Sequence, residues 1–390
     1  MSARSSLLTI LAIFISVATE ACAEQPAITE RVLSKSDVFY QDDSSFYRQV
    51  SHSPDGRWIA IVRDDEKDNI WASELVLFDN STSTSRVVVP GDITMTYATY
   101  SAVAFGVWWD SSNVSIGISD GDVDSVNIVY DTESQRIVKK ERNRSLDNQM
   151  VADGKSEDPT GLSAPISECF PDWDQDVITS AIDAAHTSWI SRGQSALFQP
   201  RHVKADPILW LLNLQECTRT VLFDPGNSRL PTFLGWLSGA ASYEERLAFA
   251  LHGTRSTPGS NKSEQTGLLV IGSLSPDGPD SIEVSDLPSV KLVNAGQMGG
   301  FEYFLLRPTL DYCGGRLFAF NSQQVREIRV PNASFCDASA NEPSGSLALV
   351  VRLGPDRKSP RRFMITKPPA GMTKAPNGAF IKQVARMIRS

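Results

Sequence analysis

The sequence predicts an all-β fold, and three observations carry that prediction. Apolar runs rich in Val, Ile, Leu, Phe and Trp are nearly all about four to eight residues long, the length of strands rather than helices. Clusters of Gly, Pro, Asp, Asn and Ser separate them. One order of elements also recurs: an apolar strand, a turn, a strand apolar on both faces, a third strand ending at an acidic or polar turn, and a short final strand.

Ahead of the first strand, residues 1–23 read as a secretory signal. Arg4 is its basic start, residues 7–17 its apolar run, and Ala21-Cys22-Ala23 before Glu24 its cleavage site. The run is too short to span a bilayer, which takes roughly 20 residues. Thr19 and Glu20 stand where a lipid-modified Cys22 would want a Leu and a small residue. No other segment has transmembrane length, so residues 24–390 are expected as a soluble product in an exported compartment, periplasmic or extracellular.

The first clear turn and strand is Ser53-Pro54-Asp55-Gly56-Arg57-Trp58-Ile59-Ala60-Ile61-Val62. Pro54 presets φ for the turn, Asp55 favours the next position, and Gly56 releases the chain into the strand. Further strands are expected at 58–63, 74–78, 85–89, 103–109, 114–119, 126–130 and 136–138, and then at 188–191, 195–198, 208–214, 218–223, 233–237, 247–251, 268–273 and 281–284. The last group is 291–295, 301–307, 316–321, 327–330, 347–352 and 362–366. Asp79, Asp131 and Asn213 mark the turn from a third to a fourth strand, while 110–113, 191–194, 313–315 and 343–346 are read as heads like the first. Ser275-Pro276-Asp277-Gly278 is read as a plain turn.

This repetition predicts a β-propeller over residues 24–366, with about six four-stranded blades (five to seven) of roughly 40 to 60 residues each. Two β-sandwich domains would use the same strands with other connections. Residues 139–168 are polar and without period, and are expected as a loop insertion. Residues 367–390 are expected as a basic linker and a short amphipathic helix, with Phe380, Val384, Met387 and Ile388 on one face.

The head motif resembles those of TolB-like and WD-type propellers, and of the propeller half of the prolyl oligopeptidase family. Arg31-Val32-Leu33-Ser34-Lys35-Ser36-Asp37-Val38 is similar to the lead-in of exported peptidases of that family, including lasso peptide isopeptidases. The region 347–365, with Arg352-Leu353-Gly354-Pro355 and Arg361-Arg362-Phe363, is similar to their final blade before the hydrolase half. That half needs a G-x-S-x-G elbow and alternating strands and helices, and the sequence is read as lacking both. The resemblance implies a propeller without its enzyme. Either it is a non-catalytic domain that binds a peptide, protein or small ligand at one mouth of its channel, or it is the substrate-gating part of a peptidase or isopeptidase. An envelope scaffold of the TolB type is a third possibility.

The net charge of −9 divides into +9 over residues 352–390 and −18 before them. So acidic a body excludes nonspecific nucleic-acid binding, while the tail could touch an acidic or anionic surface. Cys169, Cys217, Cys313 and Cys336 allow three disulfide pairings. Cys313 with Cys336 is the first choice because they lie on neighbouring strand regions, which leaves Cys169 with Cys217. Asp120, Asp122 and Asp124 could offer three carboxylates to calcium, as could Asp172, Asp174 and Asp176. Both sets lack the glycine and the distal Glu of a calcium loop and are read as solvated turn acids. Trp108, Trp109, Trp173, Trp189, Trp210 and Trp236 are read as packing between sheets rather than a sugar or peptide platform. No catalytic residue and no cofactor are expected, because His52, Ser53 and Asp55 are too close in one turn to form a relay.

Overall fold

In the computed structural model, residues 28–367 are described apart from 43–45, 68–69, 90–99, 109, 120–123, 145–162, 174–186, 192–193, 201–207, 225–232, 245, 257–262, 274–281 and 357–358. The signal segment, the linker beyond 367, the helix expected near 380–388 and the Ser275-Gly278 turn lie outside the described residues.

The described strands form six blades. Blade 1 holds β3 (Phe46–His52), β4 (Trp58–Lys67), β5 (Ile70–Asp79) and β6 (Thr84–Val89). Blade 2 holds β7 (Tyr100–Trp108), β8 (Asn113–Ser119), β9 (Asp124–Asp131) and β10 (Arg136–Arg144). Blade 3 holds β11 (Thr187–Ser191), β12 (Ser195–Phe198), β13 (Leu209–Asn213) and β14 (Thr218–Phe223). Blade 4 holds β15 (Phe233–Tyr243), β16 (Arg246–Ser256), β17 (Ser263–Ser273) and β18 (Ile282–Leu287). Blade 5 holds β19 (Val290–Met298), β20 (Phe301–Pro308), β21 (Arg316–Phe320) and β22 (Val325–Arg329). Blade 6 holds β23 (Ala333–Asn341), β24 (Ser346–Leu353) and β25 (Arg361–Thr366), and takes its fourth strand from the N-terminal region as β2 (Val38–Asp42). Just before it, β1 (Ile28–Val32) lies parallel to β22 as a fifth strand of blade 5. The chain thus touches blade 5, completes blade 6 and starts blade 1 within its first described residues.

Alternation explains why the second and third strands are apolar on both faces: each feeds two cores. In blade 1, Trp58, Ala60, Val62, Leu75 and Leu77 face Trp108, Val114 and Ile128 of blade 2. The residues between them, Ile59, Ile61, Val76 and Phe78, face Ala348, Val350 and Phe363 of blade 6. In β20, Phe301, Tyr303 and Leu305 pack toward blade 6, whereas Phe304 and Leu306 pack toward blade 4. Another such core joins blades 3 and 4. Face-to-face cores join blades 1 and 2, 3 and 4, 4 and 5, 5 and 6, and 6 and 1, and together with β2 on β25 they are the arrangement of a propeller and not of two sandwiches.

A register shift interrupts the first strand of every blade where it pairs with the second: at Tyr47/Gln49, Phe105/Trp108, Trp189/Ser191, Leu237/Ala240, Asn294/Gly296 and Phe335/Asp337. None interrupts a second–third pair. Bulges bend and twist a strand locally, which suits the inner strand of each blade. The third-to-fourth turns repeat as well. Asp79, Asp131 and Asn213 each accept a backbone N–H two residues on, and Asn321 does so in blade 5.

Several expectations need correction. Strands β1, β2, β3 and β23 were not expected. Residues 139–168 are not a loop throughout, because β10 runs to Arg144 and Ser163–Cys169 form helix α1. Ile166 and Phe170 of this helical segment pack on Ala196, Phe198 and Leu212 of blade 3, and that burial is what folds an otherwise polar stretch. Cys313-Gly314-Gly315 is not a blade head but connects β20 to β21, and the blade 5 head is Gly299-Gly300.

The structure joins Cys313 to Cys336, buried across the contact of blades 5 and 6, and Cys169 to Cys217 between α1 and blade 3. The loops closed span 23 and 48 residues, which by chain entropy stabilises the fold by about 3–4 kcal/mol per bond. Cys217 is exposed and Cys313 and Cys336 are buried. Mild reductant is therefore expected to open Cys169–Cys217 first, lowering Tm, while Cys313–Cys336 persists until unfolding. Alkylation followed by mass spectrometry reads the order.

Candidate functional site

The head turn of blade 1 is built by its own residues. The Ser53 N–H donates to Trp58 O (2.8 Å) and the Gly56 N–H to Ser53 O (2.8 Å). Ser53 Oγ donates to Asp55 Oδ1 (2.6 Å), and Asp55 also takes the Arg57 N–H (3.1 Å). Gly56 has φ +73°, and a Cβ there would meet Asn341 and Ser344 of blade 6. Trp58 is buried at the start of β4, with the Arg57 and Arg86 guanidiniums 5.0 and 4.8 Å from its ring. The motif thus shapes a blade and docks it on its neighbour.

The docking partner is β23. Three residues spaced by two, and so on one face of the strand, cap the inner strand of blade 1. Asp337 Oδ2 accepts the Val50 N–H (2.9 Å), Ser339 Oγ accepts the His52 N–H (3.0 Å), and Asn341 Nδ2 donates to Ser53 O (3.1 Å). Gln199 does the same between blades 3 and 4, accepting from Leu237 N (2.5 Å) and donating to Gly235 O (2.8 Å). Such capping satisfies strand edges that no fifth neighbour covers.

Where blades 5, 6 and 1 meet, a slot of about 520 Å³ opens along the inner strands. Residues 49–54 of β3 and its head, 293–296 of β19 and 337–341 of β23 form its walls, with Arg307 and Tyr312 at one end. Its volume is within the range of roughly 300–1,000 Å³ usual for small-ligand sites. Tyr312 donates its hydroxyl to Arg48 O (3.0 Å) and carries the Arg307 guanidinium 4.3 Å above its ring. Burial pushes the Tyr312 phenol up to about 12, so it stays protonated. In the β19 wall, Asn294 Oδ1 accepts the Gly296 N–H (2.6 Å) and its amide donates to buried Glu302 (2.7 Å).

Two titrating groups sit at this seam with opposite tendencies. Burial pushes the Asp337 carboxyl up to about 6, against the pull of the Val50 N–H, the Arg307 guanidinium and the Ala338 N–H. The folded state then holds that proton more tightly than the unfolded chain, so this contribution to stability falls as pH rises from 3.8 through about 6. His52 is buried between Ser339 Oγ at Nδ1 (3.0 Å) and Ser346 Oγ at Nε2 (2.9 Å). Burial drives it down to about 3, so the unfolded chain protonates first and stability is lost as pH drops below 6.5. Asp337→Asn keeps an acceptor for Val50 and removes the half-buried charge. With the opposing Asp337 contribution gone and that of His52 left, its stability is expected to rise more steeply with pH between about 4 and 6 than that of wild type, and to be at least as high above pH 6. Urea midpoints across pH measure this, and a large loss above pH 6 would assign the seam to the charge itself.

Of the other candidates of the sequence, His52 and Ser53 line the slot. Asp120 and Asp122 lie outside the described residues, as do Asp174 and Asp176, and Asp124 opens β9. Asp172 pairs with Arg219 (3.6 Å). Among the described residues no group of three His, Cys, Asp or Glu could hold a metal. Trp173 and Trp210, with Phe170, surround the Arg219 guanidinium at 5.2, 5.3 and 5.8 Å, so that aromatic group is filled from within. His52 bonds serines of blade 6 and not Ser53. Gly117-Ile118-Ser119-Asp120-Gly121 does match G-x-S-x-G in spacing, which corrects the reading that none exists. Ser119 ends β8, paired with Ala102 of β7 and Ser125 of β9, and the next described element is strand β9; the elbow needs a strand-to-helix turn. Asp337, Ser339, Asn341 and Arg307 were not singled out in the sequence. The signal was the alternation Asp-x-Ser-x-Asn in a run of small residues.

No family model matches this chain, and no curated protein does. Solved structures do. The propeller domain of the trilobed protease from Pyrococcus furiosus shares 14% identity over 83% of this chain and 82% of that one, with a TM-score of 0.29. A prolyl endopeptidase shares 12% over 94% of this chain and 56% of that one (TM-score 0.33). The GH93 α-L-arabinofuranosidase of Fusarium graminearum shares 9% over 88% and 96% (TM-score 0.34). This chain spans little more than half the length of the endopeptidase. The six-bladed propeller rests on strand order, inner-strand bulges and the closure by β2, and on no part of these matches.

Proposed function

We propose that the chain is an exported propeller that acts by binding, taking a peptide, a protein segment or a small ligand at one mouth of its channel. The seam slot carries this reading: it is lined by inner strands of three blades, with polar and apolar residues mixed along its walls. Export is supported by two disulfides, which persist in oxidising compartments. No helix among the described residues is long and apolar enough to cross a membrane. A peptidase propeller that rests on a hydrolase half would gather exposed apolar residues on one face. The exposed large ones described here, Val32, Phe39, Val87, Ile137, Val138 and Val221, lie on outermost strands around the rim, and Leu310 lies in a turn.

The test combines a fluorophosphonate serine-hydrolase probe with a panel of short peptides, applied to residues 24–390. Peptide binding without labelling or turnover is expected, and Ser51→Trp, which fills the slot, is expected to abolish it. Labelling lost on a single Ser substitution would replace this reading with a hydrolase.

A further inference from the structure

Asp337 and Arg307 line the slot from different blades, and the remainder of its lining is neutral. Gln49, Ser51, Asn294 and Asn341 are polar without charge, Tyr312 keeps its proton, and His52 is uncharged. The two charges are close enough for the guanidinium to act on the carboxyl, yet no ion pair joins them among the described residues. Each is held by its own support. Asp337 takes the Val50 N–H on one oxygen, which leaves acceptor positions of the carboxylate over. Arg307 lies on the Tyr312 ring, with a guanidinium of five donors.

A cation alone in this slot would lie near Arg307, and an anion alone near Asp337. Only a ligand carrying both charges gains from both. Building on the binding role proposed above, we propose that the slot takes a small zwitterion, a free amino acid or the unblocked ends of a short peptide, with its carboxylate on Arg307 and its ammonium on Asp337. Charge-assisted hydrogen bonds at both ends set the selectivity, and the neutral walls and the β19 backbone at 293–296 accommodate what lies between.

Calorimetry on residues 24–390 with alanine, Ala-Ala-Ala, its N-acetyl form and its C-terminal amide tests this. Binding of alanine assigns a free amino acid, and binding of Ala-Ala-Ala alone assigns a peptide spanning both charges. In either case, blocking one end of the tripeptide is expected to weaken binding tenfold or more. Asp337→Asn is expected to abolish discrimination against the acetylated form only, and Arg307→Met against the amide only. Circular dichroism of both variants checks that they fold, and among the described residues Arg307 makes no ion pair whose loss would unfold the seam. Blocked and unblocked peptides that bind alike, or discrimination surviving in both variants, would overturn the zwitterion while leaving a binding channel. Absence of binding by all four probes would also overturn it, and a longer blocked peptide displaced by Ser51→Trp would then keep the binding role without it.

Discussion

Phe363→Ala is expected to destabilise the protein by about 3–5 kcal/mol, the range for truncating a buried Phe, and to open the ring at its seam. Phe363 is buried in β25 and is surrounded by rings from the pieces that meet there. Tyr40 of β2 is 5.9 Å away, Tyr47 of β3 is 5.7 Å and Phe78 of β5 is 6.1 Å, and Tyr40 and Phe78 are themselves 4.6 Å apart. Removing the ring leaves a cavity where β2, blade 6 and blade 1 meet, beside the β2–β25 pairing that closes the propeller without a covalent link. Blades 5 and 6 are stapled by Cys313–Cys336, so the loss has no counterpart there. A fall in Tm of about 5–10 °C follows from the usual slope for large domains. Hydrogen exchange is expected to quicken in 38–42 and 46–52 before other strands. Uniform quickening would mean that the closure by β2 contributes no special weakness.

Gly296→Val is expected to cost about as much, about 3–5 kcal/mol from backbone strain and overpacking together. Gly296 follows the bulge of β19 with φ +95°, a conformation a β-branched residue adopts only under strain. A Cβ there would also run into the backbone carbonyl of Ala340 on β23, which cannot rotate away as a side chain could. The inner strands of blades 5 and 6 must part, widening the slot between them. Any ligand held between β19 and β23 is expected to be lost with stability. Gly296→Ala, with strain but less bulk, is expected to lose less. A valine variant as stable as wild type would show that the two inner strands do not approach as described.

Much of the fold was legible because second and third strands announce themselves. Trp58 to Val62, Leu75 to Phe78 and Leu347 to Val351 are apolar at consecutive positions because each strand serves two cores. The turn residues Asp79, Asp131 and Asn213 were equally clear, since their chemistry is local. Inner and closing strands were hidden for the opposite reason. β23 (ASFCDASAN) and β3 (FYRQVSH) spend part of their side chains on the channel and on capping each other, so they look like loops. β1 and β2 gain their strand character from partners about 300 residues away in sequence. The candidate site was illegible for the same reason. Asp337, Arg307 and residues 293–296 come from neighbouring blades and meet the 49–54 wall of blade 1 only after the ring closes, and no local pattern records that.

The central claim, that ligand occupies the seam of blades 5, 6 and 1, is tested most directly by hydrogen–deuterium exchange on residues 24–390 with and without a pool of short unblocked peptides. Protection confined to 49–54, 293–296 and 337–341 is the predicted result. Protection instead on residues 327–335, which with Val32 and Arg352 line a second, separate groove, or none on any strand, would contradict it.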